Sequence, residues 1–143
     1  MHHVAIMKPK LHLLEKIVSG QKTIESRWLH QRRAPWHQVR VGDTIYFKNS
    51  GQPVSASASV SKVLYVADLT PNQVRQLVLT YGEAIGLENI EDFYMQHQHK
   101  RYAVFIWLDQ VRQLSPFTIT KQGFGAQSAW LTTPNIASLR IKD

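Results

Sequence analysis

Apolar positions along this chain change period several times, and each change predicts an element. Residues 4–7 form a short apolar run that fits a buried strand, and Pro9 suits the first position of a helix running to about residue 19. Leu11, Leu14 and Val18, with Leu13 and Ile17 beside them, give that helix one apolar stripe, and Gly20 closes it. Residues 44–48 read as a strand between the turns Val41-Gly42-Asp43 and Asn49-Ser50-Gly51. Val54, Ala56, Ala58 and Val60 then alternate with Ser55, Ser57, Ser59 and Ser61, a period of two whose inward residues are small. Val63 and Tyr65 continue one residue out of phase, which predicts a bulge near Ser61 of the kind that lets a sheet curl.

Thr70-Pro71 is a helix start, and Val74, Leu77, Val78 and Tyr81 recur at helical spacing before Gly82. Asn89 followed by Asp92 predicts the cap of a second short helix carrying Phe93. Residues 101–111 are apolar on both faces, as in a central strand with a barrel core on one side and a helix on the other. A last strand is predicted over 117–120, and the stretch from Pro134 onward carries no assignable pattern. Strands that pair in hairpins, interrupted by helices, give an α+β fold with a small barrel. At 143 residues, 1–143 is expected to be a single domain.

Composition narrows the chemistry. Without cysteine there is no disulfide framework, thiolate metal site or cysteine nucleophile, and a reducing cytoplasm is the expected compartment. The longest apolar run, residues 102–108, is too short to span a bilayer, so no membrane partner is expected. Net charge is +7, and the excess lies early: residues 1–62 hold ten Lys/Arg against three acids, whereas 63–143 hold seven against seven. Local positive potential attracts phosphates, so RNA or a nucleotide is the first partner to consider.

The stretch Gly20-Gln21-Lys22-Thr23-Ile24-Glu25-Ser26-Arg27 concentrates the candidate chemistry. As a strand leaving a glycine turn it sets Thr23, Glu25 and Arg27 on one face and Ile24 and Ser26 on the other, with Lys22 at its mouth. Lys8 ends the first strand and is expected to join them. A long loop from Trp28 to Arg40 carries Arg32, Arg33 and Trp36, a mixture of cations and rings suited to backbone charge and base stacking. Lys121 and Phe124, beside two glycines that let backbone approach a ligand, are candidates for the far wall of a cleft. His97 and His99 alternate but have no third ligand at a recognisable spacing, so neither a metal nor another cofactor is expected.

Gly20-x-Lys22-Thr23-Ile24-Glu25-x-Arg27, followed by Val41-Gly42-Asp43-x-Ile45 and a strand ending in Trp107-Leu108, resembles the ASCH domain, a PUA-like β-barrel. Pro116-Phe117-x-Ile119-x-Lys121-x-Gly123-Phe124 and Trp130 resemble the closing segment of some members, so the likeness covers about residues 3–131. The resemblance implies a PUA-like small β-barrel with helical insertions whose basic cleft, at the barrel mouth, binds RNA, a nucleotide or a modified base. It leaves open whether the chain is an enzyme. The implied alternatives are a metal-independent ribonuclease on single-stranded RNA and an amidohydrolase on an acylated cytidine. Lys22, Glu25 and Thr23 are the candidate catalytic residues; Lys8, Lys22, Glu25, Arg27, Trp28, Arg32, Arg33, Trp36 and Lys121 are the candidate binding residues. In the amidohydrolase branch the lysine falls on Lys22, but the nucleophile position holds Glu25, Thr23 is displaced, and Glu83 or Glu88 would supply the second acid.

Overall fold

Thr70 opens a helix by a reciprocal cap: its hydroxyl accepts from the Gln73 amide while the Gln73 side chain accepts from the Thr70 amide, with Pro71 in the first turn. That helix, α2 (Pro71–Tyr81), is followed by α3 (Ile90–His97), where Asn89 accepts from the Asp92 amide. Both caps and both helices match the sequence expectation. The computed structural model describes residues 1–141.

The expected N-terminal helix is broken in two. Pro9–Leu11 is a short 3-10 turn, His12 takes a left-handed conformation at φ 56°, and α1 spans only Leu13–Ser19. The break shifts the helical phase, so Leu14 and Ile17 are buried while Leu11 is 48% exposed. Gly20, at φ 86°, ends α1 in the conformation that glycine tolerates best.

Six strands form one mixed sheet: β1 (His2–Met7), β2 (Ile24–Leu29), β3 (Thr44–Asn49), β4 (Val54–Val66), β5 (Tyr102–Phe117) and β6 (Trp130–Thr133). Their order is β2-β5-β4-β3-β1-β6; β1 runs parallel to β3 and every other pair is antiparallel. The register of β4 against β5 shifts three times, once between Val60 and Lys62, at the predicted phase slip. These irregularities, with small Ala56 and Ala58 facing inward, let the sheet curl into a half-barrel. The strand expected over 117–120 is instead the end of β5, beyond which Ile119 makes one isolated bridge to Arg140. The unassigned tail contains a 3-10 turn at Ile136–Ser138.

Three apolar clusters divide the molecule. Ala5, Ile45, Phe47, Ala58, Val104 and Ile106 fill the barrel, with α1 at one side. Ala103 and Phe105, on the other face of β5, pack with Ile24 and Trp28 against α2 and the segments flanking it. Thus residues 103–108 of β5 are apolar on both faces for the expected reason, whereas 109–113 are exposed. Val4 and Leu131 face outward under the tail, with Leu139. The result is an α+β fold in which β2 and β6 are the two free edges of the curled sheet. Among the described residues no helix is long and apolar enough to cross a membrane.

Candidate functional site

Lys22 lies between α1 and β2, where its amide donates to the Lys16 carbonyl at 3.0 Å and directs its side chain inward. The residue is only 2% exposed. Its Nζ donates to the carbonyls of Ile24 and Ile85, both at 2.8 Å, and lies 3.6 Å from Glu25 Oε1. Burial pulls the lysine below its ordinary range, more than the Glu25 charge lifts it, and the Arg27 charge adds to the lowering. Instead of a mobile ammonium at a strand mouth, Lys22 is a tie between β2 and the turn after α2. Gly86 lies beside it at φ 86°, the left-handed conformation that glycine tolerates best.

Glu25 is likewise 2% exposed. Its Oε1 accepts from the Ser26 amide at 2.8 Å, whereas Oε2 has no hydrogen-bond partner among the described residues and sits 3.7 Å from Arg27 Nη2. Arg27 crosses the gap between the sheet edges. Its guanidinium donates to the carbonyls of Ile6 and Ala129, both at 3.3 Å, contacts Met7 Sδ at 3.5 Å, and rests 5.2 Å from the centre of the Trp130 ring. Its side chain remains 17% exposed. Lys22, Glu25 and Arg27 therefore come together as the spacing predicts, but as a row that runs from a sealed interior to a half-open seam. Thr23 departs from that row: it precedes β2, is exposed, and makes no side-chain hydrogen bond to Lys22 or Glu25 among the described residues.

A second group gathers at the same seam. Met7 touches Arg27, which brings the following residue, exposed Lys8, to the end of β2. Arg101 donates its amide to the Leu29 carbonyl, so Lys100 lies beside the loop that carries Arg32 and Arg33. Burial lowers Lys100, and the Arg33 and Lys8 charges lower it further. None of Lys8, Arg33 and Lys100 has a carboxylate partner among the described residues. Lys100 carries no signal in the sequence, because nothing along the chain links it to Arg33 or Lys8.

The aromatic candidates separate. Trp28 is a core residue: its indole N–H donates to Ser26 Oγ at 3.0 Å and its ring meets Phe93 and Phe105 edge-on, so it has no open face for a base. That corrects the expectation for Trp28. Trp36 is half-buried against Tyr65 and Tyr102, and exposed His37 stacks on it at 4.9 Å. Arg32 lies over the Tyr102 ring at 5.5 Å. Lys121 donates to the Ala126 carbonyl at 2.6 Å; it lines the closing segment, facing Lys48, whose value is lowered by burial and then by the Lys121 charge. The acids considered for the helical insertion do not reach Lys22: Glu88 pairs with Lys16 at 3.0 Å and Glu83 makes no ion pair among the described residues.

No family model and no curated protein matches the sequence. Solved structures do match. The ASCH protein from Zymomonas mobilis is 19% identical, with 99% of this chain and 96% of that one covered at a TM-score of 0.69. A tyrosine-to-phenylalanine variant of that protein superposes equally well, at 20% identity over 98% of this chain and 99% of that one, TM-score 0.69. Protein EF3133 from Enterococcus faecalis V583 is more distant, at 13% identity, 75% and 69% coverage and a TM-score of 0.51. At such identities the likeness shows the fold, which is that of the ASCH structures.

Proposed function

We propose that this ASCH-fold chain binds RNA or a nucleotide at the basic mouth where the ends of β1 and β2 meet. The observation that carries the reading is the convergence of Lys8, Arg33 and Lys100, three cations from separate segments, with no acid paired to them among the described residues. Like charges brought together repel, and a bound phosphate removes that cost. Arg27 stands behind them with a partly open guanidinium. Exposed His37, stacked on Trp36, lies in the same loop as Arg32, a ring and a cation of the kind that single-stranded nucleic acid uses.

Fluorescence anisotropy with a short labelled single-stranded RNA, titrated at several salt concentrations, tests this. Lys100→Ala and Arg33→Ala are each expected to weaken binding and to reduce the salt slope by about one. Unchanged affinity and slope in both variants would remove the mouth from consideration.

Hydrolysis of RNA is a second reading, favoured by one observation: a buried lysine with a lowered value beside a carboxylate whose Oε2 lacks a hydrogen-bond partner. Arg27 would have to swing aside to admit a substrate. Cleavage of labelled RNA in the presence of chelator, absent in Glu25→Gln, is the expected result of that reading. Exposed Thr23 gives the amidohydrolase reading no comparable support.

A further inference from the structure

At the far end of β1, a buried cluster fixes its own proton positions. His3 is 0% exposed; its Nε2 lies 2.8 Å from Asp43 Oδ2, and its Nδ1 lies 3.2 Å from Trp130 Nε1 and 3.0 Å from Thr132 Oγ1. An indole N–H only donates, so Nδ1 accepts and the single proton sits on Nε2 facing Asp43. The neutral ring satisfies Asp43 and the indole, while the Thr132 hydroxyl, whose proton goes to Gln38 Oε1, lies beside Nδ1 without sharing its lone pair. A second proton would set Nδ1–H against the indole N–H, and that bond would be lost.

We infer that His3, Asp43, Trp130 and Thr132 form an acid-released latch that holds the closing strand β6 on the sheet. β6 pairs with β1 alone, over four residue pairs, and has no strand on its other side. Trp130 also carries the Arg27 guanidinium, so releasing the indole unseats the residue that bridges the seam. Thr132 passes the network outward, its hydroxyl also lying 3.2 Å from Gln38 Oε1 in the loop that precedes β3. Around the imidazole, Asp43 favours a second proton, while the Met1 amino group and His2 oppose it; Arg40 reaches the cluster through its amide, which donates to Asp43 at 3.0 Å. Burial outweighs Asp43 and holds His3 below its ordinary 6.5.

The sign follows. The unfolded chain takes up the proton near 6.5, so the stabilisation from a neutral His3 is complete above that pH and is lost as pH falls toward the folded value. His97 is also held low, chiefly by burial and despite the Phe93 carbonyl, and adds acid sensitivity of the same sign. The test must therefore be local. NMR titration of the His3 ring, with amide exchange of residues 130–133 from about pH 7.5 to 5.5, reads the latch directly. The expected result is a His3 midpoint below 6.5 and opening of β6 that rises by up to about tenfold per pH unit relative to β4. His3→Gln should abolish that extra opening trend. If His3→Gln does not fold, Trp130→Phe, which removes the opposing N–H, should raise the His3 midpoint and flatten the trend. A midpoint at or above 6.5, or β6 opening that follows β4 at every pH, would overturn the latch.

Discussion

Lys22 places an amine at a depth where most proteins place a methyl group, and its surroundings explain how. Two carbonyls and the Glu25 carboxylate receive its ammonium, so removing the lysine leaves an acid in the interior with only Arg27 near it. Lys22→Met is expected to cost about 3–5 kcal/mol, and Lys22→Met combined with Glu25→Gln less, because the second change removes the stranded charge. Urea unfolding of both variants measures this, and a single-variant loss under about 1 kcal/mol would mean that water already reaches the pair. The meeting of Lys22, Glu25 and Arg27 was legible in their spacing. Their burial was not, since the carbonyl that captures Lys22 comes from Ile85, 63 positions away. Trp28 shows the opposite limit: beside Arg27 in sequence it resembles a binding residue, but strand alternation turns it to the helices while Arg27 faces the seam.

The turn between α2 and α3 delivers that carbonyl, and Gly86 gives the turn its left-handed residue. With φ at 86°, and with Leu13 and Lys22 atoms 3.4 Å from where an added methyl carbon would stand, Gly86→Ala is expected to destabilise by about 1 kcal/mol or more. A lowered melting temperature checks it; a Gly20→Ala control, whose added methyl meets nothing within 4 Å, separates contact from backbone strain. Elements with a clean period were readable from the sequence. β4 announced itself through alternating Val/Ala and Ser, and its bulge through the slip in phase. The break at His12 left no mark, because a single left-handed residue changes neither composition nor apolar content. β6 was invisible as a strand, being four residues whose pairing with β1 bridges nearly the whole chain.

Across the whole molecule, the proposed reading joins the charge excess of the first 62 residues to Lys100 from the second part. Total charge alone would attract any polyanion, whereas on the proposed reading rings at Trp36 and His37 would take only bases that are already unstacked. Single-stranded RNA is therefore expected to bind more tightly than an RNA duplex of equal length at the same salt. Equal affinities by anisotropy would mean that charge acts without the rings. The fold class was legible at this scale, since element order limits topology strongly. How far the sheet closes was not, because Arg27 spans the seam through backbone carbonyls that any sequence would supply.

The arrangement of β1 bears on how the protein is made. One edge of β1 joins β3 and the other joins β6, so a growing polypeptide can form the parallel pair early yet must leave the opposite edge bare until the last strand leaves the ribosome. Through that interval β1 is an unprotected template for stray strands, an aggregation hazard of biosynthesis added to that of the two edges the folded sheet keeps.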